Sequence, residues 1–357
     1  MSRGRQVARG LGTLALALLG AAVAWLVVLR VRAEHSPEPL YTVASLPALP
    51  AADTNGWGLA RGARPPELPA ALNGLIVPGS TTAADWALVE RSVPALREFV
   101  ASPLVQASLR GFGAALDRPA FADACSADLF DRCPIVPIYQ QHKLEEVAIL
   151  ARALEAPDDA VTRLVRLLRA DAGWLGSSRS ILSFEVAVAS ARRSLTVATL
   201  LLPRVSAGSR ASLAGAVADV RRAPLDLRRP LIVEYLRGLS AIDIVASDAS
   251  ALRSMDPTSH PTSWTGRLVS AIGLDRGRTK RLLAERTRTW LGWLEQPATV
   301  APPTEVTHAE QTLYWLDNPV GKRILDDLRM PPSLWPKVRL ELGALGSESE
   351  ALVAALR

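Results

Sequence analysis

One five-residue run carries the densest chemistry in the chain: His142-Lys143-Leu144-Glu145-Glu146. On a helix, positions i, i+3 and i+4 share a face, so His142, Glu145 and Glu146 would stand together. An imidazole and two carboxylates so placed are a ligand set for zinc or another divalent ion. A zinc-protease motif needs a second histidine in the same run. The other histidines are His35, His260 and His308, all distant in sequence. The competing reading is a His–Glu pair at the surface near a helix start, and we expect no metal or other cofactor.

Three further acids lie inside apolar stretches: Glu185 in Ser-Phe-Glu-Val-Ala, Glu234 in Leu-Ile-Val-Glu-Tyr and Asp243 in Ala-Ile-Asp-Ile-Val. Burial raises a carboxyl's pKa and suits it to acid–base work. Two such groups across one cleft would fit glycoside hydrolysis. Structural pairing with arginines such as Arg192, Arg193 or Arg237 is the bland alternative. Nucleophile and phosphate-loop motifs are missing. There is no Gly-x-Ser-x-Gly and no Ser-x-x-Lys, and Gly321-Lys322 lacks the glycine-rich approach and the Ser/Thr of a phosphate loop.

Cys125 and Cys133 are the only two cysteines and lie eight positions apart. In an oxidising compartment such a pair reads as a disulfide. The basic run Arg276 to Arg288 is a candidate contact for anionic head groups or an acidic partner, against the simpler reading of a solvated helix face.

Helices must position these groups. Apolar residues at helical spacing predict helices near 82–101, 103–116, 138–155, 157–170, 177–202, 208–222, 229–246, 263–272, 276–296, 305–316, 319–329, 333–343 and 348–356. Pro94 is expected to bend the first. The helix at 177–202 is apolar nearly all round and is expected at the centre. Asn318-Pro319 reads as an N-cap followed by proline in the first turn, and Ser347-Glu-Ser-Glu350 as a capping box. No run alternates strictly, so the expected fold class is all-α, with helices packed in hairpins.

The chain has 357 residues and a net charge of +6. Five of its 41 basic residues fall in the first 33 positions, where there is no acid. The body is therefore nearly neutral, and a nucleic-acid partner is not expected. Only four of the basic residues are lysine, a bias of high-GC bacterial genomes.

Leu11 to Leu29 contains no charge and is long enough to cross a bilayer. Arg3, Arg5 and Arg9 precede it; Arg30 and Arg32 follow. This predicts a cytoplasmic N-terminus at 1–10 and a signal-anchor at 11–29, oriented N-in and C-out in a bacterial inner membrane. A cleaved signal peptide ending at Ala24 or Ala33 is the alternative. Residues 30–80 hold many prolines and read as a spacer or arm, its second half lying along the body. Residues 81–357 read as one all-α periplasmic domain. The expected partners are the lipid bilayer through 11–29 and envelope proteins. The expected role is a non-enzymatic scaffold or accessory subunit of envelope or transport machinery. A peptidoglycan-type hydrolase using Glu185, Glu234 or Asp243 and a helical domain for apolar ligands are the alternatives.

Overall fold

A computed structural model describes residues 37–62, 65–77, 83–126, 133, 135–247, 274–297, 299–304, 318–328 and 334–356, with isolated positions between 17 and 24. The expected membrane segment at 11–29 and the helices expected at 263–272 and 305–316 lie outside these residues, apart from those isolated positions. Among the described residues no helix is long and apolar enough to cross a membrane.

The fold is all-α. The helices are α1 (Trp57–Gly62), α2 (Ala70–Asn73), α3 (Ala83–Arg91), α4 (Val93–Ala101), α5 (Pro103–Leu116), α6 (Ile135–Ala153), α7 (Pro157–Ser177), α8 (Ile181–Leu201), α9 (Ala207–Arg222), α10 (Arg228–Ser247), α11 (Arg276–Leu294), α12 (Pro319–Asp327) and α13 (Leu334–Leu356). Their starts follow local chemistry. Proline occupies the first turn of α4, α5, α7 and α12, where its missing N–H costs nothing. Ser180, Ser206 and Asp275 cap α8, α9 and α11 by accepting an N–H three residues on.

Two expectations are corrected. The helix expected to bend at Pro94 is broken at Ser92 into α3 and α4. The capping box expected at Ser347–Glu350 lies inside the continuous helix α13. There Ser347 Oγ donates to the Gly343 carbonyl at 3.1 Å and Ser349 Oγ to that of Gly346 at 2.8 Å. Serine hydroxyls can bond backward in this way without ending a helix. Glu348 and Glu350 are drawn to Arg192 and Arg221 instead of to a helix start.

The chain groups into two compact units, and the boundary falls within α10, between Glu234 and Tyr235. The larger unit holds residues 44–234, 296–301 and 333–357. At its centre α8 buries Phe184, Val188, Leu195 and Val197, in contact with α7, α6 and α13. Part of the proline-rich stretch belongs to this body: Trp57, Leu72 and Ile76 are each at most 2 % exposed. Trp57 packs edge-on to Trp174 at 5.3 Å and to Phe121 at 5.7 Å. Asn55 holds that wedge, donating Nδ2 to the Ala122 carbonyl and accepting its N–H, both at 2.9 Å. Residue 56 must be glycine, because any Cβ there would collide with the Ala115 carbonyl.

The smaller unit holds residues 1–43, 235–295 and 302–332. Trp290 and Trp293 are buried against each other at 5.5 Å. Asn318 starts α12 in the left-handed region, at φ 53°. Its side chain caps no N–H of its own helix. Instead Oδ1 accepts from Asp275 N at 2.7 Å and Nδ2 donates to Thr279 Oγ1 at 3.0 Å. The expected N-cap position is therefore right, but the cap serves the start of α11. Gly321 follows from this arrangement, since a Cβ there would overlap Thr279 Oγ1 and the Asn318 amide.

Candidate functional site

The cluster at His142 is assembled from three helices inside the larger unit. α6 supplies His142 and Glu146 one turn apart, α7 supplies Asp171, and α8 supplies Arg193 and Ser194. His142 is 2 % exposed, Asp171 1 %, and Glu146 and Ser194 0 %. His142 Nε2 stands 2.7 Å from Asp171 Oδ1, and Nδ1 stands 3.1 Å from Glu146 Oε1. Arg193 Nε donates to Glu146 Oε2 at 2.8 Å, and its Nη1 donates to the Ile76 carbonyl at 2.9 Å.

The electrostatics follow from the geometry. Burial alone would lower the pKa of His142, but Asp171 and Glu146 outweigh it and hold the value at about 10. Burial pushes Glu146 up; Arg193 and His142 pull it below the usual carboxylate range. Burial dominates at Asp171, which is raised despite His142. In the form with both acids ionised, two cations and two anions cancel in a dry core. Such a set repays the cost of removing charges from water only when every member keeps its partners.

The arrangement is not that of an activated nucleophile. Ser194 Oγ lies 3.4 Å from His142 Nε2, the same nitrogen that Asp171 approaches more closely. An imidazolium has no free lone pair for the serine proton, and both side chains are sealed from solvent.

The structure joins only two of the three candidate metal ligands, His142 and Glu146. Glu145 turns toward α7, where Arg163 Nε and Nη2 bind its two oxygens at 2.8 Å each. Glu146 is held by a guanidinium, which repels a metal ion. Asp171, Arg193 and Ser194 complete the cluster and lie 25 or more positions further along the chain.

The other candidates fall elsewhere. Glu185, on α8, is partly exposed and paired with Lys337 of α13. Asp243, on α10, takes Arg276 Nε at 2.8 Å and Lys280 Nζ at 3.0 Å. Burial raises its pKa, and the two cations bring it net below the usual range. Glu234 is partly buried on α10 and also engaged. At least half of the basic residues at 276–288 are spent internally: beyond Arg276 and Lys280, Arg286 caps α12 through the Leu325 and Leu328 carbonyls at 2.9 and 3.2 Å.

Cys125 and Cys133 form a disulfide with a Cα separation of 5.4 Å. Asp123 lies beside it, accepting N–H from Cys125 and from Arg179 at 2.8 Å each.

The larger unit also has a groove of about 430 Å³ between the C-terminal halves of α8 and α13. Leu195, Thr199 and Leu202 form one wall; Ala351, Leu352 and Ala355 form the other. Arg192 and Glu348 bridge the two helices at the groove, with Nη2 2.6 Å from Oε1.

No known protein family, curated protein or solved structure matches the chain.

Proposed function

We propose that this protein is a membrane-anchored, non-enzymatic helical scaffold or accessory subunit of a bacterial envelope or transport assembly. The observation that carries the reading is the α8/α13 groove, whose walls are largely apolar and whose rim is held by an ion pair. Apolar grooves between helices are sites where helices or apolar groups of a partner dock. Two features of the sequence support the location: the uncharged segment at 11–29 with its arginine flanks, and an even cysteine pair suited to an oxidising compartment. The cations on Glu185 and Asp243 favour this reading over a carboxylate-pair hydrolase. A second reading, binding of a small apolar ligand, rests on the same groove.

The test is site-specific photo-crosslinking in the native membrane. Crosslinkers at Thr199 and Ala355 should capture one stoichiometric envelope protein, whereas one at exposed Arg118 should not. Lipid or another small apolar molecule captured at the groove positions would favour the second reading. Equal labelling at all three positions would overturn both. Protease protection in spheroplasts tests orientation, with the C-terminal body expected to be accessible from outside.

A further inference from the structure

Helix α11 carries six basic residues against one acid, Glu285. Arg276 and Lys280 are spent on Asp243, Arg286 on the end of α12, and Arg278 is also engaged. Arg281 and Arg288 are left over. Both are exposed, and with Glu285 between them they stand on one face of the helix. Among the described residues no carboxylate lies within ion-pair distance of either guanidinium. The fold also fixes where this face lies along the chain. α10 runs antiparallel to α11: Asp243 meets Arg276 and Lys280, and a Cβ at Gly238 would strike Leu283. One turn further in that register, Tyr235 comes opposite Arg288, whose charge acts on its phenol. Tyr235 also holds the chain arriving from the N-terminus. Its Oη accepts Leu40 N–H at 2.9 Å, and its ring packs edge-on to Tyr41 at 6.3 Å. Leu40 is only eleven positions beyond Leu29, the last residue of the expected membrane segment. Such a stretch reaches at most about 40 Å, so Arg288 is tethered close to the bilayer.

We propose that the Arg281/Arg288 face of α11 docks the smaller unit onto the anionic phospholipid surface around the anchor. The inference rests on the anchor of the proposed function and adds a second, electrostatic contact with the same membrane. Guanidinium groups suit this partner, because their planar N–H donors match phosphate oxygens and they are weakly hydrated. Each basic side chain at an anionic lipid surface strengthens binding about fivefold. Two of them, with Glu285 between, would hold a free protein only weakly. The tether supplies the rest, since it keeps the face at high local concentration beside the lipid.

The experiment uses the full chain reconstituted in vesicles of phosphatidylcholine, alone or with added phosphatidylglycerol. A photo-crosslinker replaces Gly292, one turn beyond Arg288 on the same exposed face with open space around it, or Gly343 of α13 as the control. Lipid labelling from 292 should rise at least about threefold with phosphatidylglycerol and fall back in high salt. Arg281→Gln with Arg288→Gln should remove that rise, and Arg281→Lys with Arg288→Lys should keep most of it. Labelling from 343 should not respond. Equal labelling from 292 in the two vesicles, or a rise that survives the double glutamine change, would overturn the proposal. So would capture of an acidic protein in place of lipid in native membranes. Flotation of the vesicles separates this outcome from the anchor reading. A chain that floats with both vesicles but labels equally keeps the anchor and loses the docking face. A chain that floats only with phosphatidylglycerol, and only at low salt, loses the anchor and keeps the lipid contact of α11.

Discussion

His142 Nε2 and Asp171 Oδ1 meet at 2.7 Å in the core of a helical unit, where neither side chain is more than 2 % exposed. The pair links α6 to α7, and Glu146 with Arg193 extends it to α8. The charged cluster therefore ties three helices together at one level of the core.

Asp171→Ala should cost about 3–5 kcal/mol, because it leaves the His142 cation buried without its partner. His142→Phe combined with Asp171→Ala should lose much less than the sum of the single changes, since charge and counter-charge leave together. Urea midpoints of the four proteins measure the coupling. Additive losses would show that the two residues do not act as a pair.

The pH dependence has a definite sign. His142 is raised from 6.5 to about 10, so its stabilisation is complete below 6.5 and is lost as pH climbs toward 10. Glu146 lies below its ordinary 4.5, so its contribution is present above that value and is lost on acidification. Asp171 is raised above 3.8, so its contribution opposes that of Glu146 on the acid limb. Between pH 6.5 and 10, stability should fall by on the order of a few kcal/mol. His142→Gln should flatten that alkaline limb in urea unfolding series, and an unchanged limb would count against this assignment.

Gly321→Ala should destabilise the smaller unit by about 1–3 kcal/mol, because the new methyl must displace Thr279 or Asn318. Hydrogen exchange should speed up at residues 275–294 and 318–328. Gly343→Ala, at an exposed position on α13 with open space for a methyl, is the control and should be neutral or stabilising.

Reduction of Cys125–Cys133 should lower stability by about 2–3 kcal/mol, in line with the small loop it closes. Cys125→Ser with Cys133→Ser should reproduce that loss and become insensitive to dithiothreitol. Alkylation of the unreduced, unfolded chain should find no free thiol.

Much of the fold was legible because periodicity and proline placement are local signals. The 103–116 helix ends where its pattern ends, at Leu116, and α11 begins beside the Asp275 cap. The capping-box pattern at Ser347 misled because the same hydroxyls can satisfy carbonyls within a helix. At the candidate site, only the members one turn apart on α6 could be read together. Asp171 and Arg193 reach the same point from helices folded back alongside, and sequence spacing carries no trace of that approach. The usable hint was Arg193 itself, an arginine within a helix that is apolar nearly all round. Glu145 was placed on the His142 face by the i, i+3 rule, but the pull of Arg163 from α7 takes it elsewhere.

The Asn318 amide has a consequence for how the smaller unit comes together. One side chain supplies bonds to Asp275 and Thr279, at the start of a helix about forty residues earlier, while opening a second helix itself. Neither helix start is complete until the intervening chain has closed on itself. The two should therefore form and melt as a single kinetic event, with a rate set by that long closure and not by either helix alone.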